Sequence, residues 1–230
     1  MIPIGDRNPT RSFPIVNIAL IVINVLVFVY ELSLGGRDLD EFLQRWGVAP
    51  FTVSRDPLSP EELQTVYTSM FLHAGWLHLL GNMVFLWVFG DNVEDALGHL
   101  RYLLFYLVAG TGAVAAQVSM ASDTLVPLVG ASGAISGVLG AYILLYPRSA
   151  VLVLIPLFFI PWTAEVPALF VIGFWFLLQL MSGLAAVGHA IGGAGGVAWW
   201  AHVGGFLSGM LLLAILRPGA LTRPRSGLRS

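Results

Sequence analysis

The sequence contains no cysteine and no lysine; all eleven of its basic residues are arginine. Without cysteine there is no disulfide framework, no thiolate nucleophile and no thiolate metal ligand. Without lysine, Ser-Lys and Schiff-base mechanisms are excluded. Charge of either sign is scarce: 10% of residues are charged, the net charge is −2 and 57% are hydrophobic. A soluble domain carries about 25% charged residues, so this chain lacks the polar groups to cover a surface facing water. With a mean hydropathy of +0.83, it reads as an all-α polytopic membrane protein. No basic stripe is present, which argues against nucleic acid as a partner. The first apolar run is long and has no small-residue cleavage site, so a cleavable signal peptide is not expected.

A helix crossing the roughly 30 Å hydrocarbon core needs about 20 residues. Six candidate spans emerge, over 14–32, 77–93, 102–120, 131–146, 166–181 and 197–216. The second, fourth and fifth are short, which suggests local bilayer thinning or helices that begin below the surface. A further apolar run, 151–160, is too short to span and lies between Pro147 and Pro161; it is expected to be extended or re-entrant at the interface. Arginine placement orients the chain. With six spans, Arg7, Arg11, Arg101, Arg148, Arg217, Arg223, Arg225 and Arg229 share one side. Only Arg37, Arg45 and Arg55 fall on the other, in the loop 33–76, where acidic residues outnumber them. Both termini are therefore expected in the cytoplasm of a multi-pass protein of the cell membrane. The organisation is a short N-terminal segment (1–13), a membrane domain (14–216) and a polar, disordered tail (217–230). In the loop 33–76, the stretches 39–46 and 61–66 are predicted as short amphipathic helices. There is no 20–50-residue repeat.

Strongly polar residues inside a span are functional candidates by default. Those singled out are His78 and Asn82 in the second span, Ser132 and Ser136 at the head of the fourth, and His202 early in the sixth. Even-numbered spans all run the same way, so His78, Ser132 and His202 share a layer roughly 0–10 Å below the outer boundary at 1.5 Å of rise per residue. Ser132 stands among glycines in Gly130-Ala131-Ser132-Gly133, at a helix start that offers free amides and a positive dipole end to a developing oxyanion. Gly133 and Gly137 also form a GxxxG pattern, which membrane helices use simply to pack closely. His202 is suited to take the serine proton and return it to a leaving amine; a buried histidine satisfied by a carbonyl is the plainer alternative. Gly205 and Gly209, three and seven residues on, would let its helix approach the serine helix. His78 and Asn82, four apart, project from one face and can donate to an oxyanion, although Asn82 also suits interhelical hydrogen bonding. No acid lies at the right depth for a triad, because Asp91, Glu94 and Asp95 fall at the far end of the second span. The arrangement is a Ser-His dyad.

In this order, His73-x4-His78-x3-Asn82, Gly130-x-Ser132-Gly133 and Ala201-His202-x2-Gly205-x3-Gly209 resemble the signature of the rhomboid family over a six-span core from about Pro14 to Leu216. The resemblance implies an intramembrane serine protease that cuts single-span membrane proteins near their outer boundary, without cofactor or metal. It assigns Ser132 as nucleophile and His202 as base, with His78, Asn82 and the Ser132 amide forming the oxyanion hole. Gly130 permits a tight entry to the serine helix, and His73 and Glu94 take structural roles. Two departures stand out. Gln64 and Thr65 occupy the place of a Trp-Arg pair common in the first loop, which bears on how that loop is placed. Ser136 replaces a tyrosine that stacks on the histidine in some members, so Trp199 or Trp200 would have to orient the ring. Substrate entry beside the fifth span, with Phe174, Trp175 and Phe176 as a movable wall, and a glycine-rich loop 183–196 containing His189, complete the expectation. The rivals are a non-catalytic binder or chaperone of membrane helices and a small transporter. The transporter would need midplane charges and repeat symmetry, which the sequence lacks. A zinc protease is excluded, since the His73/His78 spacing is not H-E-x-x-H.

Overall fold

The computed structural model describes residues 1–157, 160–186 and 197–220. Strand β1 (Ile2–Asp6) precedes helix α1 (Ile15–Ser33). The first loop then folds into α2 (Gly36–Trp46), α3 (Pro50–Val53) and α4 (Pro60–Thr68), ending in a 3₁₀ turn, Ser69–Phe71. Helices α5 (Trp76–Leu97), α6 (His99–Met120) and α7 (Ser132–Leu145) follow. A hairpin of β2 (Ala150–Leu157) and β3 (Ile160–Pro167) leads to α8 (Ala168–Ala186) and α9 (Trp199–Leu216).

The all-helical expectation needs correction. Residues 151–157 of the apolar run fall in strand β2, paired antiparallel with β3 and, on its other edge, with β1, in the order β1-β2-β3. Its β-branched residues suit a pleated surface, but its partners come from segments not expected to be strands. The fifth helix consequently starts at Ala168 rather than at 166, and the N-terminal segment is part of the fold. A 3₁₀ turn at Pro218–Ala220 follows α9; residues 221–230 of the tail and His189 lie outside the described residues.

Among the described residues, four helices are long and apolar enough to cross a membrane: α1, α6, α8 and α9. A fifth is counted if Pro60–Phe71 and Trp76–Leu97, bent by 82° at their junction, form one broken span. Helix α7, with 14 residues, is about 21 Å long, short of the hydrocarbon core. His78, Asn82 and the acidic C-terminal turn lower the hydropathy of α5. The chain is a multi-span membrane protein.

Contacts at the helix ends show that α5 and α9 run one way and α1 and α6 the other. At one end, Glu94 of α5 accepts from the amides of Val16 and Asn17 at 3.0 and 2.7 Å. A carboxylate thereby satisfies the orphan donors at the start of α1, which has no side-chain cap of its own. Asp95 accepts from the Arg11 and Ser12 amides, both at 3.1 Å. Arg217, after α9, donates to the Ala96 carbonyl at 2.9 Å. At the opposite end, Glu31 of α1 accepts from the His73 amide just before α5, and Gln117 of α6 accepts from the Ala201 amide at the start of α9 at 3.1 Å.

Helix α9 is wedged between α6 and α7 by glycines. A Cβ on Gly205 would lie 2.0 Å from the Gly133 carbonyl oxygen, and one on Gly209 would lie 2.1 Å from that of Gly137. Backbone meets backbone here, so no larger residue fits without moving a helix.

The sheet covers a polar cluster at the end of α7. Tyr142 donates to the Asp6 carboxylate, and Asn8 donates to both Tyr142 Oη and Asp6, at 2.7 and 3.1 Å. Burial, with the Asp91 carboxylate adding to it, raises the Asp6 carboxyl from 3.8 to about 6. A carboxyl raised in the folded state contributes stability that is complete below about pH 4 and is lost as pH rises through 6. Asp6→Asn keeps an acceptor for Tyr142 and removes that charge. It is expected to raise Tm at pH 7 by about 2–4 °C and to leave it unchanged at pH 4. Thermal unfolding across that range checks this; a variant whose pH dependence parallels the wild type would rule it out.

Candidate active site

Ser132 is the first residue of α7 and His202 lies in the first turn of α9. The close glycine contacts of the two helices bring these starts together. Ser132 Oγ and His202 Nε2 are 2.9 Å apart, and both residues are only partly buried. A hydroxyl therefore meets an imidazole nitrogen at hydrogen-bonding distance, reachable from outside and set in an apolar bundle.

The segment entering α7 is held by backbone bonds. Val48 and Leu128 exchange amide bonds at 3.0 and 2.7 Å, and the Gly130 amide donates to the Ser69 carbonyl at 2.8 Å. Gly130 has φ +123°, a conformation that side chains disfavour. A Cβ there would also lie 2.6 Å from both Cε1 and Nε2 of His78, and 3.7 Å from Asn82 Nδ2. His78 and Asn82 thus flank the turn into Ser132. Asn82 donates to His73 Nε2 at 2.9 Å, and the His73 and His78 rings stand edge-on at 5.1 Å. His73, buried and tied through its amide to Glu31, braces Asn82 from behind. A small cavity beside Ser132 is lined by Met70, Gly110, Ala113, Leu128, Gly133 and Ala134, among others.

The rhomboid domain model matches residues 60–219. The chain belongs to the rhomboid family. Among curated rhomboid relatives, RHOMBOID-like protein 6, mitochondrial, from Arabidopsis thaliana is 34% identical over 161 residues, covering 70% of this chain and 44% of that protein. Rhomboid protease GluP of Bacillus subtilis is 35% identical over 136 residues, covering 59% of this chain and 25% of the relative. Rhomboid protein 1, mitochondrial, of Saccharomyces cerevisiae is 31% identical over 198 residues, or 84% of this chain and 51% of the relative. The chain thus spans about a quarter to a half of these rhomboid proteins.

The surroundings of His202 are where this rhomboid departs most from the sequence-based expectation. Ser136 donates back to the Ser132 carbonyl at 2.6 Å and takes no part in holding the ring. Of the two tryptophans expected to orient it, Trp199 is edge-on at 6.5 Å, whereas Trp200 lies against Gly183. Trp175 of α8 packs closer, at 5.8 Å, and also touches Phe85 of α5. Of the other two aromatics expected in a movable wall, Phe176 stacks on Phe206 of α9, whereas Phe174 is exposed.

Five buried polar residues inside the described α-helices escaped the sequence reading: Asn17, Asn24, Glu31, Asn92 and Gln179. Asn17 donates to the Leu86 carbonyl and accepts from Tyr102, joining α1 to α5 and α6. Gln179 reaches the site itself: its Oε1 lies 2.7 Å from His202 Nδ1. The signal was available, since Gln179 is an amide in an otherwise apolar span; nothing in the sequence said which helix it faced.

Proposed function

We propose that this rhomboid chain is an intramembrane serine endopeptidase that cleaves single-span membrane proteins through Ser132 and His202. The observation that carries this reading is the 2.9 Å contact between Ser132 Oγ and His202 Nε2. A serine hydroxyl is a weak nucleophile until a positioned base accepts its proton. As Oγ attacks a peptide carbonyl carbon, its proton passes to Nε2. The carbonyl oxygen becomes an oxyanion beside the Ser132 amide, at a helix start, with His78 and Asn82 as further donors. Collapse expels the amine, which takes its proton from Nε2. Water then attacks the acyl-serine by the same route in reverse.

The opposed directions of successive helices are compatible with six membrane crossings, and the placement of the arginines favours both termini in the cytoplasm. In that arrangement the starts of α5, α7 and α9 share a layer toward the outside, and the 14 residues of α7 leave room for water above Ser132. The small cavity beside Ser132, lined by Gly110, Ala113, Gly133 and Ala134 together with Met70 and Leu128, suits a small substrate side chain. The expected location is the cell membrane; relatives named as mitochondrial make an organelle membrane the competing outcome, which fractionation of a tagged protein separates.

The test is cleavage of a generic single-span substrate by purified protein in liposomes, with fluorophosphonate labelling in parallel. Cutting near one membrane boundary and an adduct on Ser132 are expected. A protein that binds the substrate helix but neither cuts it nor takes up the label is a binder of membrane helices. For the oxyanion donors, Asn82→Ala is expected to lower kcat by about 10²-fold with KM little changed. Unchanged kcat in a folded variant would remove Asn82 from that role.

A further inference from the structure

The imidazole of His202 has two nitrogens, and only one of its neutral tautomers serves as a base toward Ser132. Nε2 must carry the lone pair, so Nδ1 must carry the proton. Among the described residues no carboxylate bonds that nitrogen. What faces Nδ1 is the side-chain amide of Gln179, 23 residues earlier, on α8.

Which end of that amide faces the ring is decided by its other contact. Gln179 Nε2 donates to the carbonyl of Trp175, one turn back on α8, at 3.3 Å. Turning the amide over would set its oxygen against the Trp175 carbonyl, two acceptors face to face, and leave the NH₂ group without that partner. The arrangement that satisfies both ends presents Oε1 to His202. An amide oxygen only accepts, so Nδ1 donates to it and Nε2 is left as the acceptor for Ser132 Oγ.

Resting on the protease reading above, we propose that Gln179 is a positioning residue: it holds His202 in the Nδ1-protonated tautomer with Nε2 aimed at Ser132. The chain Trp175 carbonyl, Gln179, His202, Ser132 runs in one donor–acceptor sense from α8 through α9 to α7. It stands where a soluble serine protease has an aspartate. A neutral amide suits an apolar bundle better, because a buried carboxylate without a paired cation is strongly disfavoured there. Trp175 braces the same assembly twice, through its carbonyl on Gln179 and its ring on His202. This explains how the ring is oriented when Ser136, bonded within its own helix, cannot do it.

Gln179→Met keeps the length and bulk of the side chain and removes the oxygen. In liposomes it is expected to lower kcat on the order of 10- to 100-fold, the scale of a misaligned catalytic group, with KM within about twofold and Tm little changed. Gln179→Glu restores an acceptor and is expected to recover at least several-fold of the loss. ¹⁵N spectra of histidine-labelled protein, assigned with His202→Gln, read the tautomer directly. Wild type should show a protonated Nδ1 at His202, and Gln179→Met a mixture of the two forms. A folded Gln179→Met with wild-type kcat, or a wild-type spectrum with the proton on Nε2, overturns the proposal. If the wild type shows no cleavage at all, the protease reading fails, while the spectra still report whether Gln179 sets the tautomer.

Discussion

Ser132→Ala is expected to fold and to lose cleavage by a factor on the order of 10⁴ or more. The size follows from how few groups can stand in for the hydroxyl. Ser136, one turn along, is fully buried and its hydroxyl is bonded to the Ser132 carbonyl. The other serine lining the adjoining cavity, Ser69, donates to the Val66 carbonyl. Among the described residues no other hydroxyl is hydrogen-bonded to His202. Retention of the fold is expected because Ser132 caps nothing: the N-cap of α7 is Ala131, with no side-chain bond. Removing one partly exposed hydrogen bond changes stability by about 1 kcal/mol. Cleavage in liposomes and thermal unfolding, measured on the same preparation, separate the two effects. A folded Ser132→Ala that still cuts within tenfold of wild type would end the case for this serine, and with it the reading of the dyad.

Gly205→Ala has the second largest expected effect, through geometry rather than chemistry. The added Cβ would lie 2.0 Å from the Gly133 carbonyl oxygen and 3.0 Å from its carbon. Real contacts of this kind are essentially never under 3.0 Å, so α9 and α7 must separate by roughly 1 Å or more. No flexible side chain can absorb this, because the obstacle is backbone. Ser132 is the residue before Gly133, and His202 lies one turn before Gly205, so the displacement falls on the 2.9 Å contact between them. Stretched toward 4 Å, that contact is no longer a hydrogen bond. Activity should fall by about 10²-fold or more, and stability by about 1–3 kcal/mol. Gly173→Ala is the matched control: it lies in α8, and nothing stands within 4 Å of its added Cβ. A Gly205→Ala variant with wild-type activity would mean that the close glycine packing does not set the distance between serine and histidine.

Much of this protein is legible before any folding. Apolar runs set the positions of α1, α5, α6, α7, α8 and α9 to within a few residues, and four of these helices, α1, α6, α8 and α9, are long and apolar enough to cross a membrane, where backbone groups must be satisfied inside one helix. The candidate dyad is legible for a related reason. Polar residues are so rare in such runs that Ser132, His202, His78 and Asn82 stand out, and helix direction alone puts them at one depth. Glycines at three- and four-residue spacing mark which faces approach.

What stayed hidden is every pairing between distant segments. The run that forms β2 is expected to be extended or re-entrant, but its partners could not be read. Residues 160–166 do alternate, with Ile160, Trp162, Ala164 and Val166 apolar and Thr163 and Glu165 polar between them, yet which strand they pair with, and in what register, is set by contact with a neighbouring strand rather than by local preference. The capping of α1 by Glu94, 78 residues away from Val16, is of the same kind. So is the Gln179–His202 contact. A glutamine in an apolar helix announces that it needs a partner, but not which one. That depends on how α8 is rotated against α9, and the rotation is decided only when Trp175, Phe176 and Phe206 pack together. Sequence alone determined the helices and the candidate residue types; the tertiary structure decided which nitrogen of His202 faces Ser132 and which faces Gln179, because that rests on contacts across helices.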